Sequence, residues 1–305
     1  MQATRKTAAQ AAVGGAAVVT GYWGVVFGEM LLARRAIGVT DARPPRADGL
    51  YGDDLPAAPV RCLVLGDSAA VGYGMTHRDA TPPAMIGIGL AHVLGAQIDV
   101  RSEAVVGAQT SDLRDQIDAA LDDGFVPDLV VVVIGTNDVT HRVPSYVSTR
   151  LLGAAVKRLT DLGAEVVVGT CPDLGTVRPI PQPLRWIARR KSRALARKQT
   201  VAIVRAGGRA VSLGSLLGVL FAEKHDVMFG EDRFHPSETG YANMVAVLIP
   251  SLAAAWRERG RDVPEVATGA APGAMSLTEA AERAGRRDGT EVSRDGRWAR
   301  ILRRR

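Results

Sequence analysis

The central part of the chain alternates short apolar runs with longer stretches of helical spacing, and this pattern constrains the fold most. Five runs rich in Val, Ile and Leu are predicted to be strands, at residues 60–65, 96–101, 128–134, 164–170 and 210–213. Helices are predicted between and after them, at 82–94, 111–121, 145–162, 183–205 and 237–256. Such alternation is typical of a parallel sheet covered on both faces. The sequence therefore predicts a three-layer α/β/α domain with a five-stranded, parallel, doubly wound sheet.

The composition changes sharply on either side of this domain. Residues 1–40 include an uncharged apolar stretch from 11 to 27, and residues 41–59 hold four prolines among Gly and Asp. Residues 261–305 are rich in Gly, Ala and charge, and they end in three arginines. We therefore expect an N-terminal hydrophobic segment, a Pro-rich linker at 41–59, a folded domain at 60–260, and a charged, disordered tail at 261–305.

The N-terminal hydrophobic segment has three interpretations. Extended to Leu32, it is long enough to be a transmembrane anchor, and it is also compatible with a cleaved signal peptide or a helix packed on the domain. The first two predict a membrane-anchored or exported protein. The arginines that follow the segment outnumber the basic residues before it, however, and this count would place the domain in the cytoplasm.

Composition also limits the partners that the chain can have. The net charge is +6 and aromatic residues make up only 5% of the sequence, which does not indicate a nucleic-acid-binding protein. Cys62 and Cys171 fall in or beside predicted strands, where buried thiols are expected. The sequence has no paired Cys and His spacing that would supply four zinc ligands, so we expect neither a metal nor a cofactor.

Polar residues follow the predicted strands at the edge where parallel sheets bind their ligands. Ser68 comes directly after the first strand, Gly107 after the second, and Asn137 after the third. Asp232 and His235 lie three residues apart in a loop before the last helix. A serine nucleophile needs a base, and the base needs an acid to orient it, so these residues can serve acyl transfer. Taken singly, each also fits a turn or a helix cap.

The order of these motifs resembles the SGNH/GDSL hydrolase family, whose fold is flavodoxin-like. The resemblance covers about residues 60–256 and rests on four blocks: Gly66-Asp67-Ser68, Gly107, Gly135-Thr136-Asn137-Asp138, and Asp232 with His235. It implies that Ser68 is the nucleophile, that His235 is the base and that Asp232 orients it. It also implies an oxyanion hole formed by the backbone N–H groups of Ser68 and Gly107 and by the Asn137 side chain.

The family resemblance implies a serine esterase of the GDSL type that cleaves short- to medium-chain acyl esters of small molecules or lipids. Within the family the sequence looks most like the single-domain esterases of actinobacterial cell envelopes, which implies a catalytic domain outside the cytoplasm. Two alternatives stay open at this stage. One is an O-acyltransferase or a deacetylase that acts on a sugar or lipid alcohol with the same residues. The other is a catalytically idle, membrane-bound interaction module. The sequence departs from the family at Ser102, where the family often has Asn, and this leaves the hydrogen bonds around Gly107 undetermined.

One further feature is not explained by these blocks. Four arginines spaced four residues apart form a basic stripe within the predicted helix, between Arg185 and Lys198: Arg185, Arg189, Arg193 and Arg197. The stripe fits a solvated helix face, and it equally fits contact with anionic lipid or an acidic substrate near the mouth of the active site.

Overall fold

The computed structural model describes residues 44–55 and 58–259, together with the backbone of two short segments, 290–292 and 298–300. The predicted N-terminal hydrophobic segment lies outside the described residues, as does most of the predicted tail. The two short segments in the tail form strands that the sequence does not predict.

An eight-stranded mixed sheet forms the middle layer. Its strands are β1 (Gly49–Tyr51), β2 (Val60–Gly66), β3 (Ile98–Ser102), β4 (Leu129–Val133), β5 (Glu165–Gly169), β6 (Arg209–Val211), β7 (Thr290–Val292) and β8 (Trp298–Arg300). Their spatial order is β1-β3-β2-β4-β5-β6-β7-β8. The five strands from β3 to β6 are parallel, so the predicted doubly wound sheet is confirmed. The edge strands β1, β7 and β8 are antiparallel additions to it.

Helices cover both faces of the sheet and give the three layers. They are α1 (Ser68–Val71), α2 (Pro82–Leu94), α3 (Leu113–Asp122), α4 (Thr136–Thr140), α5 (Ser145–Asp161), α6 (Leu184–Arg205), α7 (Leu213–Glu223), α8 (His225–Met228) and α9 (Glu238–Glu258). Helices α2 and α9 pack together on one face, and α3, α5 and α6 pack on the other. The alternation of side chains along β4 separates two apolar cores: Val131 and Val133 face one, and Val130 and Val132 face the other.

The structure corrects two sequence predictions near the sheet edges. The linker prediction is wrong at its centre, because Tyr51 is buried in β1, packs its ring over Gly87 and donates from its hydroxyl to Ala47 O at 2.6 Å. The predicted strand at 210–213 ends at Val211, because Leu213 begins α7. The whole of α7 is absent from the sequence prediction.

One helix of the described residues is long and apolar enough to cross a membrane, and it belongs to the core instead. This is α9, in which Leu248 and Leu252 are fully buried against the sheet. Cys62 and Cys171 are both free and buried, as expected of small apolar side chains, and burial raises the pKa of the Cys62 thiol to about 12.

Candidate active site

Ser68 stands at the point where β2 turns into α1. Gly66 makes this turn with a φ of +137°, and a Cβ there would lie 2.0 Å from Val133 O on the neighbouring strand, so only glycine fits. Asp67 then caps α1 by accepting from the Ala69 N–H at 3.0 Å. The turn leaves Ser68 as the first residue of α1, above the carboxyl edge of the sheet.

The loop before α9 brings His235 and Asp232 to Ser68. The distance from His235 Nε2 to Ser68 Oγ is 3.0 Å, and the distance from His235 Nδ1 to Asp232 Oδ2 is 2.6 Å. The other oxygen of Asp232 accepts from the backbone N–H groups of Phe234 and His235, both at 2.9 Å. The three side chains therefore form a continuous hydrogen-bonded chain across 167 residues of sequence.

The carboxylate of Asp232 is held in its charged form. Burial alone would raise its pKa, but the bonds from the His235 ring and from the two backbone N–H groups outweigh burial and lower the pKa below its usual value. A charged carboxylate at Nδ1 fixes the proton on that ring nitrogen. It leaves Nε2 free to accept a proton from Ser68.

Tyr73 and Phe234 flank the His235 ring, with ring centres 4.3 and 4.9 Å away. The loop is closed by backbone bonds, among them Gly230 N–H to His235 O at 2.9 Å. Ser237 ends it by capping α9 through a bond from the Gly240 N–H at 3.1 Å. The loop thus both begins a helix and fixes the imidazole.

Three hydrogen-bond donors lie just past the carboxyl ends of the neighbouring strands β2, β3 and β4. In the described part of the chain, the backbone N–H groups of Ser68 and Gly107 make no hydrogen bond. Gly107 has a φ of +85°, and nothing lies within 4 Å of the place where a Cβ would be. Asn137 uses one amide hydrogen to bond Ala108 O at 2.9 Å and keeps the second available.

Buried polar side chains that the sequence analysis did not single out tie these strand ends together. Gln116 accepts from the Gly66 N–H and donates to Gly66 O, both at 2.9 Å. Gln199 joins the ends of β4 and β5 by accepting from the Cys171 N–H at 2.7 Å and donating to Ile134 O at 3.2 Å. Glutamine on a helix normally faces solvent, so the pattern gave no signal.

The loops that carry Gly107 and Asn137 are also tied to each other. Asp138, which is buried, accepts from both the backbone N–H and the hydroxyl of Thr110, at 3.1 and 3.0 Å. Ser102, where the family often has Asn, lies at the end of β3 and donates its backbone N–H to Asp48 Oδ1 at 2.8 Å. Asn137 and Asp138, rather than residue 102, therefore hold the Gly107 loop.

Asp67 is the most perturbed carboxyl group of the site. Burial raises its pKa to about 6, although the hydrogen bond from the Ala69 N–H acts in the opposite direction. It lies beside Ser68 but does not bond to it, and in the described residues its second oxygen has no hydrogen-bond partner. Its place in the fold is to cap α1.

An apolar cleft opens on one side of Ser68 and His235. It has an empty volume of about 710 Å³, part of it open to solvent. Its walls come mostly from α7, the turn at Leu174–Thr176, and the loop that carries His235. The apolar side chains in them include Leu174, Val177, Leu213, Leu217, Phe221, Phe229, Phe234 and Met244. Gly214 and Gly218, one turn apart on α7, also line it.

The basic stripe of α6 is only partly a solvated face. Arg193 donates from Nε and Nη2 to the buried Asp173 Oδ2, both at 2.8 Å, and Arg189 Nε lies 3.5 Å from the same oxygen. Asp173 borders the apolar cleft. Two of the four arginines therefore meet the wall of the cleft, and Arg185 reaches Arg178 O.

The described residues contain no cluster of three or more His, Cys, Asp or Glu side chains that could hold a metal ion. No other histidine in that part of the chain bonds to Ser68. The arrangement offers a hydroxyl, a base with its acid, and donors for a negative charge, which is the equipment for acyl transfer through a covalent intermediate.

Comparison with known sequences agrees with this chemistry. The model of the GDSL-like lipase/acylhydrolase family matches residues 64–242. A GDSL-like esterase of Mycobacterium tuberculosis is 38% identical over 287 residues, which cover 90% of this chain and 91% of that protein. An arylesterase of Vibrio mimicus is 32% identical over 111 residues, covering 36% of this chain and 54% of that protein.

Solved structures share the fold at low sequence identity. The crystal structure of TesA superposes with a TM-score of 0.52 and 19% identity, covering 64% of this chain and 99% of that one. Axe2, an acetylxylan esterase from Geobacillus stearothermophilus, gives a TM-score of 0.50 and 18% identity, covering 63% and 94%. These likenesses support the three-layer α/β/α fold.

Proposed function

We propose that this chain, which belongs to the GDSL-like lipase/acylhydrolase family and is an ester hydrolase, uses Ser68 as its nucleophile. The observation that carries the proposal is the hydrogen-bonded chain from Ser68 through His235 to Asp232. In it His235 is the general base and Asp232 orients its ring. The donors of the oxyanion hole are the Ser68 and Gly107 N–H groups and the free amide hydrogen of Asn137.

The reaction follows from this geometry in two halves. Ser68 Oγ attacks the ester carbonyl carbon while its proton passes to His235 Nε2, and the carbonyl oxygen becomes an anion held by the three donors. The intermediate collapses, the C–O bond breaks, and His235 gives the proton to the leaving alcohol. Water then attacks the acyl-Ser68 ester with His235 again as the base, which releases the acid and restores the serine.

The apolar cleft beside Ser68 favours an acyl group of short to medium length. Its lining gives a hydrocarbon chain apolar contacts on several sides, and each buried CH₂ contributes about 0.8 kcal/mol. Gly218 leaves room in this lining, since a Cβ there would meet nothing closer than Asp173 atoms at 3.9 Å. The cleft therefore sets the chain length that the enzyme accepts.

A series of p-nitrophenyl esters from acetate upward tests both parts of this proposal. We expect kcat/KM to rise with chain length while the cleft fills and then to fall. Ser68→Ala should remove the activity for every ester, because within residues 44–55 and 58–259 the only hydroxyl bonded to His235 is that of Ser68. A folded Ser68→Ala protein that still turns over would refute the assignment of the nucleophile.

The same residues can pass the acyl group to an alcohol instead of water, as an O-acyltransferase would. Adding a sugar or lipid alcohol to the assay and analysing the products separates the two: transfer gives a new ester, and hydrolysis gives only the free acid. Because the chain is an ester hydrolase, the alternative of a catalytically idle module is set aside.

We also propose that residues 11–32 tether the enzyme to a membrane of the cell envelope. The support is their length and apolar composition. Deleting residues 1–40 should give a soluble protein with unchanged kcat on p-nitrophenyl acetate, whereas the full chain should stay in the membrane pellet after a carbonate wash. An insoluble or inactive truncated protein would favour a helix packed on the domain, and a chain shortened at its N-terminus in the supernatant would favour a cleaved signal.

A further inference from the structure

The longest stretch of the chain without an acidic residue is rich in basic ones. Residues 174–222 contain ten Arg or Lys and no Asp or Glu, whereas the rest of the chain has four more acidic than basic residues. Most of these cations lie on α6 or in the turn before it. Without this segment, which lies next to the active site, the chain would not carry a net positive charge.

The cations of α6 are poorly neutralised. In the described part of the chain, no carboxylate lies within ion-pair distance of four of them: Arg185, Arg190, Lys191 and Arg197. Arg189 and Arg193 share the buried carboxylate of Asp173. Because two cations meet one anion, these three side chains together also keep a positive charge. The surface is thus built to face something anionic.

The same surface carries an exposed tryptophan. Trp186 is 55% exposed in the first turn of α6, and the guanidinium of Arg190 lies 5.6 Å from the centre of its ring. An exposed indole beside arginines is the combination found at the boundary between lipid headgroups and acyl chains. A helix face that only contacts water and forms salt bridges would not be expected to expose a tryptophan.

This surface borders the apolar cleft. The stem of Arg189 packs over Gly175, where an added Cβ would lie 2.7 Å from three of its carbons, and the neighbours of Gly175 on both sides line the cleft. Arg178 donates to Ala222 O at 3.0 Å, at the end of α7. The cations therefore lie around the part of the rim formed by the 174–176 turn and α7.

We infer that this α6 basic surface docks on an anionic lipid surface and holds the mouth of the cleft against it. The surface comprises Arg178, Arg185, Trp186, Arg189, Arg190, Lys191, Arg193 and Arg197. Lipid is favoured over nucleic acid because the cations accompany a single aromatic side chain and an apolar cleft rather than a series of stacking rings. The docking itself does not depend on the proposed function. The further step, in which the docked enzyme takes its ester substrates from the lipid, rests on the proposed function.

The fluorescence of Trp186 reports docking whether or not residues 11–32 also insert. The full chain is mixed with vesicles of phosphatidylcholine alone or with added phosphatidylglycerol, each containing brominated acyl chains that quench nearby indoles. The Trp186 signal is the difference between the wild type and Trp186→Phe. We expect quenching with the anionic vesicles only, and its loss in high salt, because the attraction is between screened charges.

A triple variant, Arg190→Gln, Lys191→Gln and Arg197→Gln, should weaken the anionic-vesicle effect on the order of 100-fold, since each cation near such a surface contributes roughly fivefold. The matched control removes three exposed cations elsewhere that have carboxylate partners: Arg46, Arg114 and Lys157. The control should dock like the wild type. Hydrolysis of p-nitrophenyl acetate by each variant reports separately on the active site.

Several outcomes would overturn the inference. They are an unquenched Trp186, equal quenching by neutral and anionic vesicles, and equal loss of docking in the triple variant and its control. Duplex DNA and unlabelled phosphatidylglycerol vesicles can also be compared as competitors for the docked protein. If DNA displaces the protein at a lower concentration of negative charge than the competitor vesicles do, the surface binds nucleic acid instead. Loss of docking with normal acetate hydrolysis, or the reverse, separates this inference from the proposed reaction.

Discussion

The active site has two unlike sides. On one side of Ser68 lie loops that are tied together by buried hydrogen bonds. On the other side lies a helix that is almost wholly apolar. The first side includes Gln116, Thr110 and Asp138, each with two or more specific hydrogen bonds. The second side is α7, whose residues 213–222 include no charged residue. Directional bonds fix atoms to within fractions of an ångström, whereas apolar contacts fill space without defining direction.

This difference separates the chemistry from the specificity. The polar side positions Ser68 and the proposed oxyanion donors, where a small displacement is costly. The apolar side only has to accept a hydrocarbon chain, and it can change in size without disturbing the triad. Substitutions on the polar side should therefore change kcat for all esters alike, and substitutions on α7 should change the ranking of the esters.

The largest expected effect is that of His235→Ala. Removing the base leaves Ser68 protonated and inactive, so kcat should fall by about 10⁴-fold or more for every ester, as for members of a catalytic triad. Asp232→Asn should lose activity too, since the amide can stabilise the wrong ring tautomer. Steady-state kinetics with acetate and a medium-chain ester measure this. If either variant lost activity on only one of the two esters, the proposed separation of chemistry from substrate specificity would be contradicted.

Asn137→Ala is expected to have the next largest effect. One oxyanion donor contributes about 10²–10³ in kcat, and this substitution also frees the Gly107 loop from its bond to Ala108 O. KM should change little. A rise in KM at constant kcat would mean that Asn137 binds the ground state of the substrate instead.

Gly218→Leu changes α7, on the apolar side of the active site. Residue 218 lines the cleft, and a Cβ there would lie 3.9 Å from Asp173, which lines it too, so we expect the leucine side chain to take up cleft volume. The kcat/KM for the longest accepted ester should then fall by about 10- to 100-fold, with little change for acetate. Val219→Leu is the control, because residue 219 is 48% exposed outside the cleft. Equal losses on acetate and on the long ester would show that α7 supports the triad itself.

The smallest expected effect concerns stability at the polar side. The native state holds the Asp67 proton more tightly than the unfolded chain does, because burial raises its pKa to about 6. The wild type should therefore lose stability relative to Asp67→Asn as the pH rises from about 4 to 7, by on the order of 2–3 kcal/mol. Urea unfolding of both proteins at several pH values measures this difference, and a constant difference would contradict it.

The sequence predicts the two sides unequally, for the same physical reason. Strands with period-two apolar residues, and the residues Ser68, Gly107, Asn137, Asp232 and His235 at their ends, follow from pattern and motif. Helix α7 does not, because an apolar run without charges on one face has no visible period and resembles an extension of β6. Strand β1 was hidden by its Gly- and Pro-rich surroundings, and Gln116 and Gln199 by their likeness to solvent-facing residues.

The proposed reaction depends most on the activation of Ser68 by His235, and a fluorophosphonate probe tests this directly. The probe forms a stable bond only with a serine whose proton is accepted by a base, and peptide mass spectrometry locates it. We expect a single labelled peptide carrying the probe on Ser68, with labelling lost in His235→Ala and retained in Gly218→Leu. Labelling at another residue, or at Ser68 to the same extent without His235, would contradict the proposed mechanism.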